Sequence, residues 1–288
     1  VVDSPSLTTS GRDGFAVRSE DVKDASEDSP STLRIVGVVT AGGSTTRHVG
    51  PGDAIRVTTG APLPKGADAV VSVEYTTEES HDVVRVRRDA EPGRNVLEKG
   101  EDVAIGQVLA ERGRVLGPAG TGLIAAGGID RIEVFPKPSV AVISTGDEVV
   151  APGRKLREGQ LYASNLVTLR AWLKEFGFTS TSAVCPDDPE TLKRCIEEAV
   201  ATQDVVLTCG GAWNSHRDFS PRALEELGFE LIYHRVRLAP GKAAAFAVRD
   251  EKVAFCLPGG PPSNEMAFLQ LALPGILRMC GRKSLPFH

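Results

Sequence analysis

After residue 137 the sequence alternates short apolar, β-rich runs with stretches of helical periodicity. The β-rich runs are residues 140–145, 205–208, 231–236 and 253–257. Strands that are separated by helices form right-handed βαβ units and a mainly parallel sheet. The second half of the chain is therefore predicted to be an α/β domain.

The helices between these runs carry their own start and stop signals. A leucine stripe that begins at Leu166 is preceded by Ser164 or Asn165 as a cap and ends at Gly177. Further helices are predicted near residues 221–227 and 263–279. This punctuation places each helix after a strand, as the α/β interpretation requires.

The first half of the chain has a different pattern. Strand-like runs lie at residues 33–39, 54–58, 69–74 and 83–87. They are separated by clusters of Gly, Pro and Asp, which favour turns over helices. This half is predicted to be mostly β.

Three strands of the second half end in small, glycine-rich segments. They are STGDE at residues 144–148, TCGG at 208–211 and LPGG at 257–260. Ligands of parallel sheets bind beyond the carboxyl ends of the strands, so these segments predict one crevice. Gly210 with Gly211, and Gly259 with Gly260, suit a phosphate, because glycine backbone can approach a ligand closely and the amides at a helix start attract anions. A plain strand-to-helix turn explains any one segment alone equally well, but three at equivalent strand ends favour a site.

Carboxylates follow two of these strands. Asp147 and Glu148 come directly after the first, and Asp218 comes shortly after the second. Such hard oxygen ligands suit Mg²⁺, although a single carboxylate at a strand end is more often a cap or a solvated loop residue. For Asp188, which with Asp187 precedes a helix beginning at a proline, capping explains the position fully.

Other polar and glycine-rich features are weaker signals. Lys242, in a turn between strands, can reach a phosphate as a point charge, although an ordinary surface lysine is more common. The segment GPAGTG at residues 117–122 fits a helix that starts at Pro118 better than a nucleotide loop. Trp213 can stack on a planar ligand or fill a local core, and the five histidines lack zinc-ligand spacing.

Composition excludes several classes of protein. At 288 residues more than one core is expected. No apolar run is long enough for a membrane helix, and residues 1–10 do not resemble a signal peptide. A net charge of −5 with scattered basic residues argues against a nucleic-acid partner. Five dispersed cysteines without a C-x-x-C pair favour reduced thiols in a cytoplasmic protein.

Four segments resemble one known family. They are SGRDGFA at residues 10–16, TGAPLPKGADAVV at 59–71, KGEDV at 99–103 and ISTGDEV at 143–149. In the same order and at similar spacing, they are similar to the S-x-M-D-G-[YF]-A, T-G-A-P-x-P-x-G-[AC]-D-A-V-V, [RK]-G-E-D-[IV] and S-T-G-D-E-[LV] segments of the molybdopterin molybdenumtransferases. The resemblance covers essentially the whole chain.

The resemblance implies a fold and a domain order. A linker domain would comprise residues 1–17 and 105–136, a small β domain residues 18–104, and an α/β molybdopterin-binding domain residues 137–288. The family's first helix and final β-barrel are not expected within this chain. Family members are homodimers, and the ligand on the α/β domain faces the β domain of the other subunit.

The resemblance also implies an activity. Molybdenum from molybdate is inserted into adenylylated molybdopterin with the help of Mg²⁺ and with release of AMP. The positions that match proposed catalytic residues of the family are Asp13, Asp102, Glu148 and Asp218. The matching ligand-binding positions are Thr59, Thr145, Gly146, Gly210, Gly211, Lys242, Gly259 and Ser263. The matching metal ligands are Asp147, Glu148 and Asp218, and Asp188 also matches a functional position.

Three site loops depart from the family pattern. Residues 210–218 read GGAWNSHRD instead of G-G-V-S-V-G-D-Y-D, residues 257–264 read LPGGPPSN instead of L-P-G-N-P-V-S-A, and residues 239–243 read APGKA instead of K-P-G-K-P. Trp213 and Ser215 add bulk and Ala239 removes a cation, so slow or absent molybdenum insertion is expected. The alternative is a non-catalytic paralogue or scaffold that still binds molybdopterin or a nucleotide. An unrelated nucleotide-binding enzyme is a distant third, because no phosphate motif is intact.

Overall fold

The computed structural model describes residues 1–44, 46–211, 219–283 and 285. The chain divides into two compact units. Unit 1 comprises Val1–Glu111 and Leu116–Ile132, and unit 2 comprises Arg112–Val115 and Glu133–His288. This division does not separate a linker domain from a β domain, so that boundary stays a prediction.

Unit 1 is mostly β. Its strands are β1 (Thr9–Ser10), β2 (Gly14–Val17), β3 (Ser31–Val39), β4 (Asp53–Val57), β5 (Ala69–Ser72), β6 (Thr76–Ser80), β7 (Val83–Val86) and β8 (Val96–Leu97). Its one α-helix in the described chain is α1 (Pro118–Ala126), and short 3-10 turns cover Ser19–Val22 and Val73–Tyr75. Six strands form a sheet in the order β5-β2-β4-β3-β7-β6, with β1 and β8 paired separately. The predicted β character and the helix start at Pro118 are confirmed.

Unit 2 is an α/β layer structure. Its strands are β9 (Val140–Thr145), β10 (Val149–Val150), β11 (Leu161–Tyr162), β12 (Ser180–Cys185), β13 (Val205–Cys209), β14 (Glu230–His234), β15 (Ala245–Arg249) and β16 (Lys252–Leu257). Its helices are α2 (Ser164–Glu175), α3 (Pro189–Thr202), α4 (Phe219–Glu226), α5 (Pro261–Ala267) and α6 (Leu273–Met279), with a π-helical turn at Phe268–Ala272.

The main sheet of unit 2 has the order β12-β9-β13-β16-β15-β14. The first four strands are parallel, which confirms the predicted mainly parallel sheet, whereas β15 and β14 pair antiparallel at one edge. The sequence analysis missed β12 and β15. β12 is an edge strand in which most side chains are polar or partly exposed, so it lacks the apolar run by which the other strands were recognised.

The central strands are buried on both faces. Val140 and Val142 of β9 pack with α2 and α6, whereas Ala141 and Ile143 pack with α3 and α4. Successive side chains of a strand point to opposite faces, so helices on both sides require an uninterrupted apolar strand. This arrangement leaves the carboxyl ends of the strands as the accessible edge.

The observed helices differ from the predicted ones in two details, the cap of α2 and the continuity of the last helix. α2 begins at Ser164 behind Ala163, and neither Ser164 nor Asn165 caps it through a side chain. Asp188 does cap α3, by accepting the amide of Thr191 at 2.8 Å, as predicted. The single helix predicted at residues 263–279 is α5 and α6 joined by the π-helical turn.

The cysteines also differ from expectation. Cys185 at the end of β12 and Cys195 in α3 form a disulfide, so the prediction of five reduced thiols is wrong for this pair. Cys209, Cys256 and Cys280 are free. No helix within the described ranges has both the length and the apolar character needed to cross a bilayer.

Candidate functional site: a cavity at the strand ends of unit 2

A cavity of about 720 Å³ opens at the carboxyl ends of β9, β13 and β16. Its walls come from residues 144–146 and 148–149, 161–165, 209–211 and 258–261, together with Asp187 and Ala243. The three glycine-rich segments singled out from the sequence therefore meet around one space. A ligand of mononucleotide size or larger fits this volume.

Two glycines in the wall are required by their surroundings. Gly210 has φ +101°, and its amide donates to the carbonyl oxygen of Leu257 at 3.0 Å. A Cβ at this position would lie 2.9 Å from the carbonyl oxygen of Thr145. At Gly146, with φ +148°, a Cβ would lie 2.9 Å from both carboxylate oxygens of Glu148. At Gly210 the contact is with backbone of β9, so only glycine lets the ends of β9 and β13 approach this closely, whereas at Gly146 it is the positive φ that favours glycine.

Two asparagines that the sequence analysis did not assign to the site brace the loop after β16. Asn165 Nδ2 donates to the carbonyl oxygen of Gly259 at 2.8 Å. Asn264 Nδ2 donates to the carbonyl oxygen of Pro258, also at 2.8 Å, and its side chain is buried. These two hydrogen bonds restrain the loop at the edge of the cavity. The only sequence signal was Asn264 itself, which replaces the family's alanine.

The carboxylates separate into different roles. Glu148 and Asp187 line the cavity, and Asp187 Oδ1 accepts from the hydroxyl of Thr145 at 2.9 Å. Asp147 instead accepts the backbone amide of Asp187 at 3.0 Å. Asp188 is occupied as the α3 cap, where hydrogen bonds from Thr191 lower its pKa. Asp187 was considered from sequence only as a cap.

The predicted metal site is only partly described. Asp218 lies outside the described residues, as do Trp213 and Ser215. Within the described ranges, no group of three or more His, Cys, Asp or Glu side chains is arranged to hold a metal ion. Glu148 and Asp187 nevertheless fit Mg²⁺, which commonly takes one or two carboxylates and completes its shell with water and ligand phosphates. The assignment of Asp147, Glu148 and Asp218 stays a prediction.

Cationic and thiol groups contribute little to the described wall. Lys242 and Ser263 do not line the cavity, although Ala243 and Pro261 close to them in sequence do. The wall formed by described residues contains no lysine or arginine. Cys209 lines the cavity, but burial raises its pKa to about 12. Burial therefore disfavours the thiolate form of this side chain.

A second group of predicted residues lies in unit 1. Asp13 Oδ1 accepts the backbone amide of Thr59 at 2.6 Å and the hydroxyl of Thr59 at 2.9 Å. These hydrogen bonds, the amide first, lower the pKa of Asp13. The structure thus brings together two predicted residues that are 46 positions apart. Asp102 is exposed, and its backbone amide donates to the carbonyl oxygen of Ser4 at 2.9 Å.

Two family models match the chain. Residues 1–128 match the MoeA N-terminal region (domain I and II). Residues 141–278 match a probable molybdopterin binding domain. The two matches together span most of the chain and adjoin near the boundary between the two units.

Named relatives and solved structures agree with these matches. The chain is 31% identical over 280 residues to a molybdopterin molybdenumtransferase of Staphylococcus aureus, covering 97% of this chain and 67% of that protein. It is 32% identical over 284 residues to the enzyme of that name from Haemophilus influenzae, covering 98% and 69%. A crystal structure of the molybdopterin biosynthesis MoeA protein from Pyrococcus horikosii superposes with a TM-score of 0.74 at 40% identity, covering 98% of this chain and 71% of that one.

Proposed function

Because the chain belongs to the molybdopterin molybdenumtransferase family, which acts in molybdenum cofactor biosynthesis, we propose that it inserts molybdenum from molybdate into adenylylated molybdopterin and releases AMP. The observation that carries the proposal is the cavity of unit 2, where three glycine-rich strand ends meet around about 720 Å³. Molybdopterin and its adenylyl group are anionic and large, and this cavity combines the required volume with backbone donors.

The residues of the wall have separate tasks in this proposal. The amides at Gly211 and Gly259 can approach phosphate oxygens without interference from side chains, whereas the amide of Gly210 is donated to Leu257 and this glycine only keeps the wall open. Asn165 and Asn264 keep the Gly259 loop in place, so little conformational freedom is lost on binding. Thr145, with its hydroxyl donated to Asp187, fixes the direction of that carboxylate.

The carboxylates of Glu148 and Asp187 would hold Mg²⁺ against the phosphates of the substrate, with Asp147 supporting Asp187 through its backbone amide. Such an ion neutralises negative charge that develops on phosphate oxygens during transfer. Glu148 and Asp187 also need a counter-charge whenever an anionic ligand is present, because neighbouring like charges repel. The family match of Asp218 adds a third candidate ligand to this set.

We further propose that the protein acts as a homodimer, as family membership suggests. Ile105 and Val108 in unit 1 are largely exposed β-branched side chains, which a second copy of the chain would bury if its interface covers this segment. Light scattering at micromolar protein concentration tests this. A monomer mass at that concentration would exclude the dimer.

A second candidate function is supported by one observation: the described wall of the cavity has no lysine or arginine. A non-catalytic paralogue would bind molybdopterin through backbone amides without completing the transfer. The two functions differ in their products. Incubation with adenylylated molybdopterin, molybdate and Mg²⁺ followed by chromatography should show AMP for the enzyme. Saturable ligand binding without AMP would identify the paralogue, and no binding would contradict both.

A further inference from the structure

A second concave surface lies entirely within unit 1 and shares no lining residue with the cavity of unit 2. It encloses about 330 Å³ beside β5 and the segment that follows β7. Three arginines line it, Arg12, Arg88 and Arg94, together with Tyr75 and Asn95. We refer to these five residues and the space between them as the arginine pocket.

The arginines of this pocket differ from most others in unit 1. Six arginines of the unit each pair with a carboxylate: Arg18, Arg34, Arg56, Arg85, Arg87 and Arg131. Among the ion pairs found in the described residues, none involves Arg12, Arg88 or Arg94. The guanidinium of Arg88 lies over the ring of Tyr75, with its Cζ atom 4.5 Å from the ring centroid, a cation–π contact. The pocket therefore holds three guanidinium groups, none of which takes part in these ion pairs.

Nearby carboxylates do not remove this charge. Asp13, next to Arg12 in the chain, accepts both hydrogen bonds from Thr59. Glu74 lines the pocket but accepts from the hydroxyl of Ser72, and Asp89 is the second acidic residue of the lining. Three guanidinium groups against two carboxylates leave the lining with a net positive charge.

The backbone that carries two of the arginines is firmly held. Asn95 has φ +54°, and its Nδ2 donates to the carbonyl oxygen of Val70 at 2.8 Å. The carbonyl oxygen of Arg94 accepts the amide of Val70 at 2.9 Å, and Gly11 donates to the carbonyl oxygen of Asn95 at 2.8 Å. Arg94 and the segment before Arg12 are thus anchored to the same strand, which limits the reorganisation needed for binding.

Arg12 also distinguishes this chain from its family pattern. The segment SGRDGFA has arginine where S-x-M-D-G-[YF]-A has methionine. The planar guanidinium group of an arginine can donate two parallel hydrogen bonds to one oxyanion, whereas methionine has no such donor. We propose that the arginine pocket binds a phosphate-type oxyanion, through Arg12 and Arg94, with Arg88 and Tyr75 forming one wall. The free volume accommodates inorganic phosphate or the phosphate of a small monoester.

The proposal is tested by titrating the 288-residue chain with inorganic phosphate at low ionic strength, followed by calorimetry and by ³¹P line broadening. Saturable binding is expected, and Arg94→Gln and Arg88→Gln should each weaken it by about tenfold, the usual cost of one charge-assisted hydrogen bond. Arg12→Met, which restores the family residue, should have a similar effect. Arg85→Gln is the matched control, because Arg85 is exposed in the same unit but pairs with Glu79 outside the pocket.

Absence of saturable phosphate binding in the unmodified chain would overturn the proposal. Equal weakening by Arg85→Gln and Arg94→Gln would do the same, since it would reflect only general surface charge. A parallel titration with AMP separates the sources of phosphate: an Arg94-dependent affinity well above that of inorganic phosphate indicates a monoester, and equal affinity indicates the free ion. Molybdopterin binding in Arg94→Gln should be unchanged. If the phosphate proposal fails, the function proposed for the cavity in unit 2 is therefore not affected.

Discussion

The side-chain amide of Asn264, buried at the start of α5, donates a 2.8 Å hydrogen bond to the carbonyl oxygen of Pro258 in the preceding loop. This contact joins the helix to the glycine-rich segment that lines the cavity. A buried carbonyl left without a donor costs about 1–3 kcal/mol. The loop therefore depends on a buried side chain that does not line the cavity.

We expect Asn264→Ala to lower the free energy of unfolding by about 1–3 kcal/mol and to weaken molybdopterin binding, because the loop loses its buried brace. Asn165→Ala is the matched variant: it removes the exposed donor to Gly259, where water replaces the lost bond, so its stability loss should stay below about 1 kcal/mol. Urea denaturation measures both changes. Equal losses of unfolding free energy in Asn264→Ala and Asn165→Ala would show that burial does not determine how much each hydrogen bond stabilises the loop.

The glycines of the cavity wall provide a second test. Gly210→Ala should destabilise the protein by about 1–3 kcal/mol and abolish ligand binding, because a Cβ collides with the Thr145 carbonyl at a positive φ. Gly260→Ala is the control, since a Cβ there meets nothing within 4 Å. Thermal unfolding of the two variants should differ clearly in midpoint. A Gly210→Ala protein as stable as Gly260→Ala would contradict the close approach of β9 and β13.

Binding of Mg²⁺ to the folded state should raise the melting temperature of the unmodified protein. Glu148→Gln and Asp187→Asn should each reduce this shift, because each removes a charged oxygen ligand from the cavity. Asp188→Asn removes one charge nearby while keeping a residue that caps helices well, so its Mg²⁺ shift should be retained. A shift that survives in Glu148→Gln would argue against an ion in this cavity.

The Asp13–Thr59 contact predicts a pH dependence. Because hydrogen bonds from Thr59 lower the pKa of Asp13, the ionised carboxylate stabilises the fold above the unfolded pKa of about 3.9, and this contribution is lost as pH falls through the lower folded value. Thr59→Val removes the hydroxyl but keeps the amide, which is the larger cause. The pKa of Asp13, followed by ¹³C NMR titration, should therefore rise only part of the way to its usual value. A complete return would mean that the amide does not contribute.

Restoring the lysine of the family pattern tests whether its absence limits ligand binding and activity. Ala239 is exposed in the turn that leads to Ala243, which lines the cavity, and the family pattern has lysine at position 239. Ala239→Lys should tighten binding of an anionic ligand by about tenfold and increase AMP release, whereas Ala239→Gln, of similar length without charge, should not. If both variants behave alike, the missing cation is not what limits activity.

Much of the fold follows from sequence because the relevant signals are local. The apolar runs of β9, β13 and β16 predict buried parallel strands, and Asp188 before Pro189 predicts a capped helix. Glycines at three equivalent strand ends predict where the cavity forms. Each apolar run, helix cap and glycine-rich strand end can be recognised from residues that are close together in sequence. The match to the family depends only on the order and spacing of its segments.

Contacts between distant residues were decided by the tertiary structure alone. Asn165 is placed like a helix cap, yet its amide donates to Gly259, 94 positions away. Asp187, not Asp147, reaches the cavity wall, and Cys185 pairs with Cys195 although no spacing rule indicates it. A short polar side chain can bond its own backbone or a distant loop at similar free energy, so its partner is chosen only when packing of the sheet and helices brings one acceptor within 3 Å.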